Sequence, residues 1–276
     1  MELTSEILSL IRKTSTEIPN DIRDALKNAK EKETNSISKN ILSNILENIE
    51  LAKKESTPIC QDTGVPIFYV KSHNSYSQIE LRRIINEAIN IATTGISLRP
   101  NAVDCLNDKP IGNKPIIHFE ESAESSQIEI ELMLKGGGSE NVSGIYQLPN
   151  TELNAERNMD GVRICVLDAV FKAQGKGCPP YIIGVAIGGT IEETASLSKK
   201  ELMRSLNDVN KISELKMFEE QMLDDINLLG IGPMGLGGKT TVLGVKVNSG
   251  IRHPASFFVG VSISCWCLRR QSICLN

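Results

Sequence analysis

The fold is decided by the stretch Ile128-Glu129-Ile130-Glu131-Leu132-Met133-Leu134-Lys135-Gly136-Gly137-Gly138, in which isoleucine and leucine occupy every second position before a run of glycine. Side chains of a β-strand point alternately to its two faces, so the pattern over 128–135 predicts a strand with one buried face. The glycines that follow have two interpretations. They form a flexible turn, or they expose backbone N–H groups that receive a carboxylate.

Helical and strand patterns are interspersed on both sides of this strand. Apolar residues three and four apart predict helices, and short apolar runs bounded by glycine or proline predict strands. The predicted helices cover 22–32, 37–52, 79–93, 162–173, 199–206 and 213–229, and the predicted strands cover 65–71, 128–135, 181–187, 240–247 and 257–264. Interspersed elements are typical of an α/β or mixed α+β fold, here a helical N-terminal segment followed by small mixed sheets flanked by helices.

The first 54 residues are interpreted as helical. Pro19 breaks the pattern and Asn20 is a candidate helix cap, while isoleucine recurs every four residues from position 37 to position 49. Nothing marks a domain boundary, so we expect one domain over 1–276 with a helical head over 1–54. The polar segments 121–126 and 150–158 are predicted to be surface loops.

Composition excludes several classes of protein. The 276 residues carry 23% charged and 40% hydrophobic side chains, with a formal net charge of -4, which does not suit general nucleic-acid binding. Aromatic residues are only 4%, too few for base-stacking platforms. No apolar run approaches the roughly 20 residues that span a bilayer, and the polar, acidic start does not resemble a signal peptide. We therefore expect a cytoplasmic protein that binds neither nucleic acid nor membrane.

One glycine-rich segment resembles a phosphate-binding loop but differs from it in two respects. In the stretch 230–240, the position that needs the first P-loop glycine holds Pro233. A helix is predicted before the segment and a strand after it, which reverses the order of a P-loop. The segment is therefore predicted to be a tight helix-to-strand connection.

Seven cysteines, an odd number without a secretory signal, favour reduced thiols or metal ligands over a disulfide framework. Cys60 follows a predicted helix in a polar turn, and Cys178 lies between glycines and prolines in a rigid loop, a setting that suits a reactive or ligating thiolate. Three readings stay open: a metal or cluster site, a zinc-binding or redox-sensing protein that uses Cys265 and Cys267, and a scaffold of buried thiols. The remaining cysteines are interpreted as small buried hydrophobes, namely Cys105, Cys165 and Cys274.

Five segments together resemble the N-terminal, iron–sulfur part of class I fumarate hydratases and of the related L-tartrate dehydratases. They run in the same order over most of the chain. They are Cys60-Gln61-Asp62-Thr63-Gly64, Ser97-Leu98-Arg99-Pro100-Asn101-Ala102-Val103-Asp104, Gly175-Lys176-Gly177-Cys178, Gly232-Pro233-Met234-Gly235-Leu236-Gly237-Gly238, and His253-Pro254-Ala255 followed by Cys265-Trp266.

The resemblance implies a [4Fe–4S] cluster held by three thiolates, Cys60, Cys178 and Cys265, with Cys267 as the alternative to Cys265. Three protein ligands leave one iron open, and an open iron acts as a Lewis acid on a bound hydroxyl.

The resemblance also implies which residues bind and process a dicarboxylate. Arg99 and Gln61 are implied to bind substrate carboxylate, with Gly137 as the central glycine of the substrate-binding turn. Asp62 is the candidate acid/base residue, against the plainer interpretation of a turn residue that caps its own backbone. His253 is implied to be an active-site histidine that bonds the substrate.

The family's second domain is missing from the chain, so the resemblance implies an α subunit. A separate β subunit is then expected to complete the active site, in an α₂β₂ particle, and the chain alone is expected to be nearly inactive. The implied reaction is the reversible hydration of fumarate to L-malate, with L-tartrate dehydration as the alternative.

Overall fold

The computed structural model describes residues 2–72, 76–95, 98–121 and 127–275, and the chain folds into two compact units. Unit 1 comprises Met1–Pro19, Glu47–Gly137 and Cys267–Asn276, and unit 2 comprises Asn20–Leu46 and Gly138–Trp266. The helices are α1 Glu2–Thr16, α2 Asn20–Lys32, α3 Ser36–Glu55, α4 Gln78–Thr94, α5 Gly137–Glu140, α6 Met159–Ala173, α7 Ile191–Glu201 and α8 Ser213–Asn227. The strands are β1 Val65–Ser72, β2 Ala102–Val103, β3 Pro110–Gly112, β4 Ile116–Glu121, β5 Ile128–Lys135, β6 Gly144–Gln147, β7 Tyr181–Ile187, β8 Val242–Ser249, β9 Phe258–Ser264 and β10 Arg269–Leu275.

Unit 1 is built on a four-stranded sheet in the order β10-β5-β1-β4. Strand β5 runs antiparallel to both β1 and β10, pairing Lys135 with Val65 and Leu134 with Arg269. The start of β1, the end of β5 and the start of β10 therefore lie next to one another, along the edge of the sheet where these strands begin or end. Helices α1 and α4 pack against each other beside this sheet and bury one apolar core with it.

Unit 2 is built on a second sheet, in the order β6-β9-β7-β8. Strand β7 is buried along its whole length, as a strand covered on both faces must be. It runs parallel to β8 and antiparallel to β9, pairing Tyr181 with Val242 and Ile182 with Ser264. The loops that precede β7 and β8 therefore share an edge with the residues that follow β9.

The mixed α/β architecture and most predicted elements are confirmed, but the predicted helix over 199–206 is wrong. The helix there is Ile191–Glu201, and residues 202–206 form turns. Its start carries a capping box, in which the side chains of Thr190 and Glu193 each reach the other's backbone. Reading that capping box in the sequence would have placed the helix correctly.

Helix α3 confirms the predicted helix, but its buried face does not follow the spacing of isoleucine. Ile37 is 58% exposed, whereas the buried stripe alternates spacings of four and three. An α-helix has 3.6 residues per turn, so a strict spacing of four drifts around the helix axis. The buried positions are Ser38, Leu42, Ile45, Ile49 and Ala52.

The sequence patterns missed several short strands, of which β10 matters most for the site. Residues 269–275 form this strand, and the sequence patterns predict no element there. The predicted loop at 150–158 is confirmed as turns joined by a bridge between Asn150 and Ala155. Of the other predicted loop, residues 122–126 lie outside the described residues. No helix within the described ranges is long and apolar enough to cross a bilayer.

Candidate active site

Asp62 joins two loops at the shared edge of the unit 1 sheet. Its Oδ1 accepts a hydrogen bond from the Gly64 N–H at 2.9 Å, and its Oδ2 accepts one from the Gly137 N–H at 2.8 Å. The carboxylate thus caps its own turn and also binds the turn after β5, while its acid/base role stays a prediction. The carboxylate that the glycine turn receives is that of Asp62 itself. A carboxylate offers about four acceptor positions, so two remain for a proton or a ligand.

Arg99 and Gln61 lie beside this loop with exposed side chains. The Arg99 Nη1 donates to the backbone oxygen of Gln61 at 3.3 Å, and the Arg99 N–H donates to the Thr63 hydroxyl at 3.0 Å. Buried Thr63 also accepts from the Asn101 side chain at 2.8 Å, which fixes the loop that carries Arg99. The unit thereby brings Gln61, Asp62 and Arg99 together. Ser97, the first residue of the Arg99 motif, lies outside the described residues.

In unit 2, the sheet edge brings together the loops that carry Cys178 and Cys265. Cys178 has a left-handed backbone with a φ of 59°, an uncommon conformation for a residue with a side chain. Its N–H donates to the Gly175 oxygen at 3.2 Å, and its own oxygen accepts from the Trp266 N–H at 3.2 Å. The second of these bonds ties the Cys178 loop to the residue that follows Cys265.

Tyr181 stabilises the Cys178 loop through two hydrogen bonds of its hydroxyl group. Its buried hydroxyl donates to the Gln174 oxygen at 2.6 Å and accepts from the Gly177 N–H at 3.1 Å. Burial raises the pKa of Tyr181 to about 12, and the nearby thiols of Cys178 and Cys265 act in the same direction. The phenol therefore stays protonated and keeps both hydrogen bonds at neutral pH.

Replacing Tyr181 by phenylalanine leaves the buried Gly177 N–H and the partly buried Gln174 C=O without this partner, and an unsatisfied buried group costs about 1–3 kcal/mol. We expect the free energy of unfolding, measured with denaturant, to fall by that amount. Tyr76→Phe, at a half-exposed ring in unit 1, is the control. Equal stability of the two variants would show that the Tyr181 hydroxyl does not hold the loop.

The glycine-rich segment 230–240 packs against the same cysteine loop. The Met234 N–H donates to the Pro179 oxygen at 2.8 Å, and a Cβ on Gly235 would lie 2.6 Å from the Gly175 Cα. On its other side the segment is held by buried Glu33, whose Oε2 accepts from the Lys239 N–H at 2.8 Å. The segment is the tight helix-to-strand connection that the sequence predicted.

His253 lies in the exposed loop between β8 and β9 of unit 2. Its Nδ1 accepts a hydrogen bond from the Ala255 N–H at 3.1 Å. In the neutral ring the proton is therefore assigned to Nε2, which faces away from this turn. The ring borders a surface depression that is also lined by Thr190, Glu193 and Phe258.

The cysteines fall into three groups by exposure, and no disulfide joins any of the seven, all of which are described. Cys60, Cys178 and Cys265 are half-buried. Cys165 and Cys267 are buried, and burial raises the pKa of Cys165 to about 11. The prediction that Cys105 and Cys274 are buried is wrong, because both are exposed.

Exposure therefore favours Cys265 over Cys267, which is only 3% exposed, as a ligand. Cysteine thiolates are the donors that iron–sulfur clusters require, and three half-buried cysteines supply that donor type, so the residues present fit such a group. Cys60 belongs to unit 1, and Cys178 and Cys265 belong to unit 2. Over the part of the chain that the structure describes, no three His, Cys, Asp or Glu side chains form a group that could hold a single metal ion.

Unit 1 thus carries a fixed carboxylate and an exposed arginine in loops at the end of its sheet, and unit 2 carries two half-buried thiols in loops at the end of its own sheet. The family model described as "Fumarate hydratase (Fumerase)" matches residues 4–274. The chain therefore belongs to the fumarate hydratase (Fumerase) family.

Three relatives illustrate the range of this family. A putative fumarate hydratase class I of Geobacillus stearothermophilus is 42% identical over 282 residues, which cover 99% of this chain and 54% of the relative. A putative L(+)-tartrate dehydratase subunit alpha of Methanocaldococcus jannaschii is 38% identical over 98% of this chain and 96% of its own length. The L(+)-tartrate dehydratase subunit alpha of Escherichia coli K12 is 31% identical over 283 residues, which cover 100% of this chain and 91% of the relative. The chain thus spans about half the length of the first relative and nearly all of the other two.

Proposed function

We propose that this chain is the iron–sulfur α subunit of a hydro-lyase that acts on a small dicarboxylate. The observation that carries the proposal is the family match over residues 4–274, which includes all three half-buried cysteines. The reaction is the addition of water to fumarate to give L-malate, and its reverse.

Cys60, Cys178 and Cys265 would hold a [4Fe–4S] cluster. When bound, the cluster would supply an open iron that acts as a Lewis acid and eases departure of the substrate hydroxyl. The fixed backbone of Cys178 and the hydrogen bond from Trp266 would keep two of the three thiols in place.

The remaining residues would bind the substrate and move a proton. Arg99 presents a guanidinium that can bind a carboxylate through two parallel hydrogen bonds, and Gln61 adds an amide next to it. Asp62 is oriented by two backbone N–H groups, which leaves free acceptor positions for the proton on the carbon next to the hydroxyl. Gly137 fixes Asp62 by its N–H, and His253 would donate to the substrate through Nε2.

L-tartrate is a second candidate substrate, because the relatives that match this chain nearly end to end are named L(+)-tartrate dehydratase subunit alpha. Fumarate ranks first because the relative with 42% identity is named a fumarate hydratase. L-tartrate carries one more hydroxyl than L-malate, and discrimination between such substrates depends on whether a site hydrogen-bonds that hydroxyl.

We further propose that a separate β subunit completes the site. The chain covers about half of the fumarate hydratase relative, and the two tartrate dehydratase relatives are named as subunits. Two copies of each chain in an α₂β₂ particle would follow the two-fold symmetry that is commonest among oligomers.

The direct test is to purify the chain with its partner under anaerobic conditions and to measure hydration of fumarate and dehydration of L-tartrate. We expect turnover by the complex, about four irons per chain as a [4Fe–4S] cluster requires, and almost no turnover by the chain alone. A reconstituted complex without iron or sulfide, or one that converts neither substrate, would contradict the proposal. Stoichiometric zinc in its place would favour the zinc-binding alternative.

A further inference from the structure

Arg269 is a buried cation without a partner among the described residues. It is the first residue of β10, pairs with Leu134 across the sheet, and is only 1% exposed. Its Nε and Nη1 are buried and form no hydrogen bond. The described carboxylates form no ion pair with it.

Such an arrangement is costly, because a buried charge is normally paired or bound by hydrogen bonds. A guanidinium carries five N–H donors in a planar fork, and this fork matches the two oxygens of a carboxylate. An unpartnered guanidinium at this depth therefore points to an anion that binds there.

The surroundings of Arg269 place that anion next to Asp62 in unit 1. A Cβ added to Gly136 would lie 3.9 Å from the Arg269 Nη2 and 3.1 Å from the Asp62 Oδ2. The guanidinium and the proposed acid/base group thus flank the same glycine. The Asp62 carboxylate accepts from the N–H groups of Gly64 and Gly137 and forms no ion pair with the guanidinium.

We propose that Arg269 is a further substrate-binding residue, which binds one carboxylate of the dicarboxylate next to Asp62. This inference rests on the proposed function. Gly136 has no side chain, and this leaves the space between the guanidinium and the Asp62 carboxylate open. Binding a carboxylate there would give the buried cation its partner and would hold the substrate beside the group that moves its proton.

The test compares Arg269→Met with Arg83→Met, a matched change at an exposed arginine of α4. The probe is succinate, a dicarboxylate that cannot be hydrated, titrated calorimetrically into the complex of the chain with its partner. Because Arg269→Met removes one partner of a buried charge pair, we expect this variant to bind succinate about 10²–10³-fold more weakly. Its KM for substrate should rise far more than its kcat falls. Arg83→Met should bind succinate as the unaltered complex does.

Two further measurements separate this role from others. Removing an unpaired buried cation should raise the denaturant midpoint of the substrate-free complex, and the iron content should stay at about four per chain. Loss of iron from Arg269→Met would overturn the substrate role, as would unchanged succinate affinity. Binding of inorganic phosphate in preference to succinate would overturn the assignment to a dicarboxylate.

The inference and the proposed function fail in different ways. A complex that hydrates fumarate and whose Arg269→Met variant binds succinate normally contradicts the inference and leaves the proposed function intact. A complex that turns over neither substrate contradicts the proposed function directly.

Discussion

Replacing Cys178 by serine is expected to abolish iron binding, from about four irons per chain to nearly none, and to remove all turnover of the complex. Serine is almost the same size as cysteine and can keep the hydrogen bonds to Gly175 and Trp266, so the loop should stay folded. What it lacks is the thiolate, the natural ligand of iron–sulfur clusters. Iron and sulfide analysis, with visible absorption, gives the measurement.

The matched control is Cys105→Ser, at an exposed cysteine outside the proposed site, which should keep its iron. The same assay settles the choice of the third ligand. Cys265→Ala should lose the iron and Cys267→Ala should keep it, because only Cys265 is half-exposed. Full iron content in Cys178→Ser would show that this thiol is not a ligand.

Replacing Asp62 by asparagine is expected to lower kcat by about 10²–10⁴, the usual contribution of a positioned proton-transfer group. An amide cannot accept the proton. Its nitrogen also cannot accept the hydrogen bond from Gly64 or from Gly137, which should cost about 1 kcal/mol of stability. The iron content should be unchanged, so steady-state kinetics on the iron-loaded complex isolate the effect.

Asp108→Asn serves as the control, because it removes the same charge at an exposed residue of unit 1 with a left-handed backbone that asparagine tolerates. It should turn over at the unaltered rate. If Asp62→Asn did so as well, the proton would be moved by another group, and Asp62 would be left with its role in joining two loops.

The strands that carry the site were predictable because their patterns are local. The alternation of apolar and charged residues over most of β5 and the continuous apolar run of β7 each identify a strand, and the glycines that follow each strand mark where it ends. The contact between Asp62 and Gly137 was not predictable from local patterns. It depends on β1 and β5 being antiparallel neighbours, which puts residues 75 positions apart at one sheet edge.

Arg269 shows a different limit of sequence reasoning. An arginine followed by Arg270 suggests an exposed basic pair, yet both residues are buried in β10. Only the pairing of β10 with β5 places Arg269 beside Gly136. Each of the two compact units is assembled from separate stretches of chain, and no linker in the sequence marks a boundary between them.

The position of β10 in the chain has a consequence for biosynthesis. Because translation proceeds from the N-terminus, β10 emerges from the ribosome after every residue of unit 2. Until then β5 is an open edge strand, whose unpaired N–H and C=O groups can attract other strands. Unit 2 can close first, and unit 1 receives its last strand and Arg269 together. The nascent chain therefore cannot bind an anion through Arg269 until β10 has paired with β5 and covered its open edge.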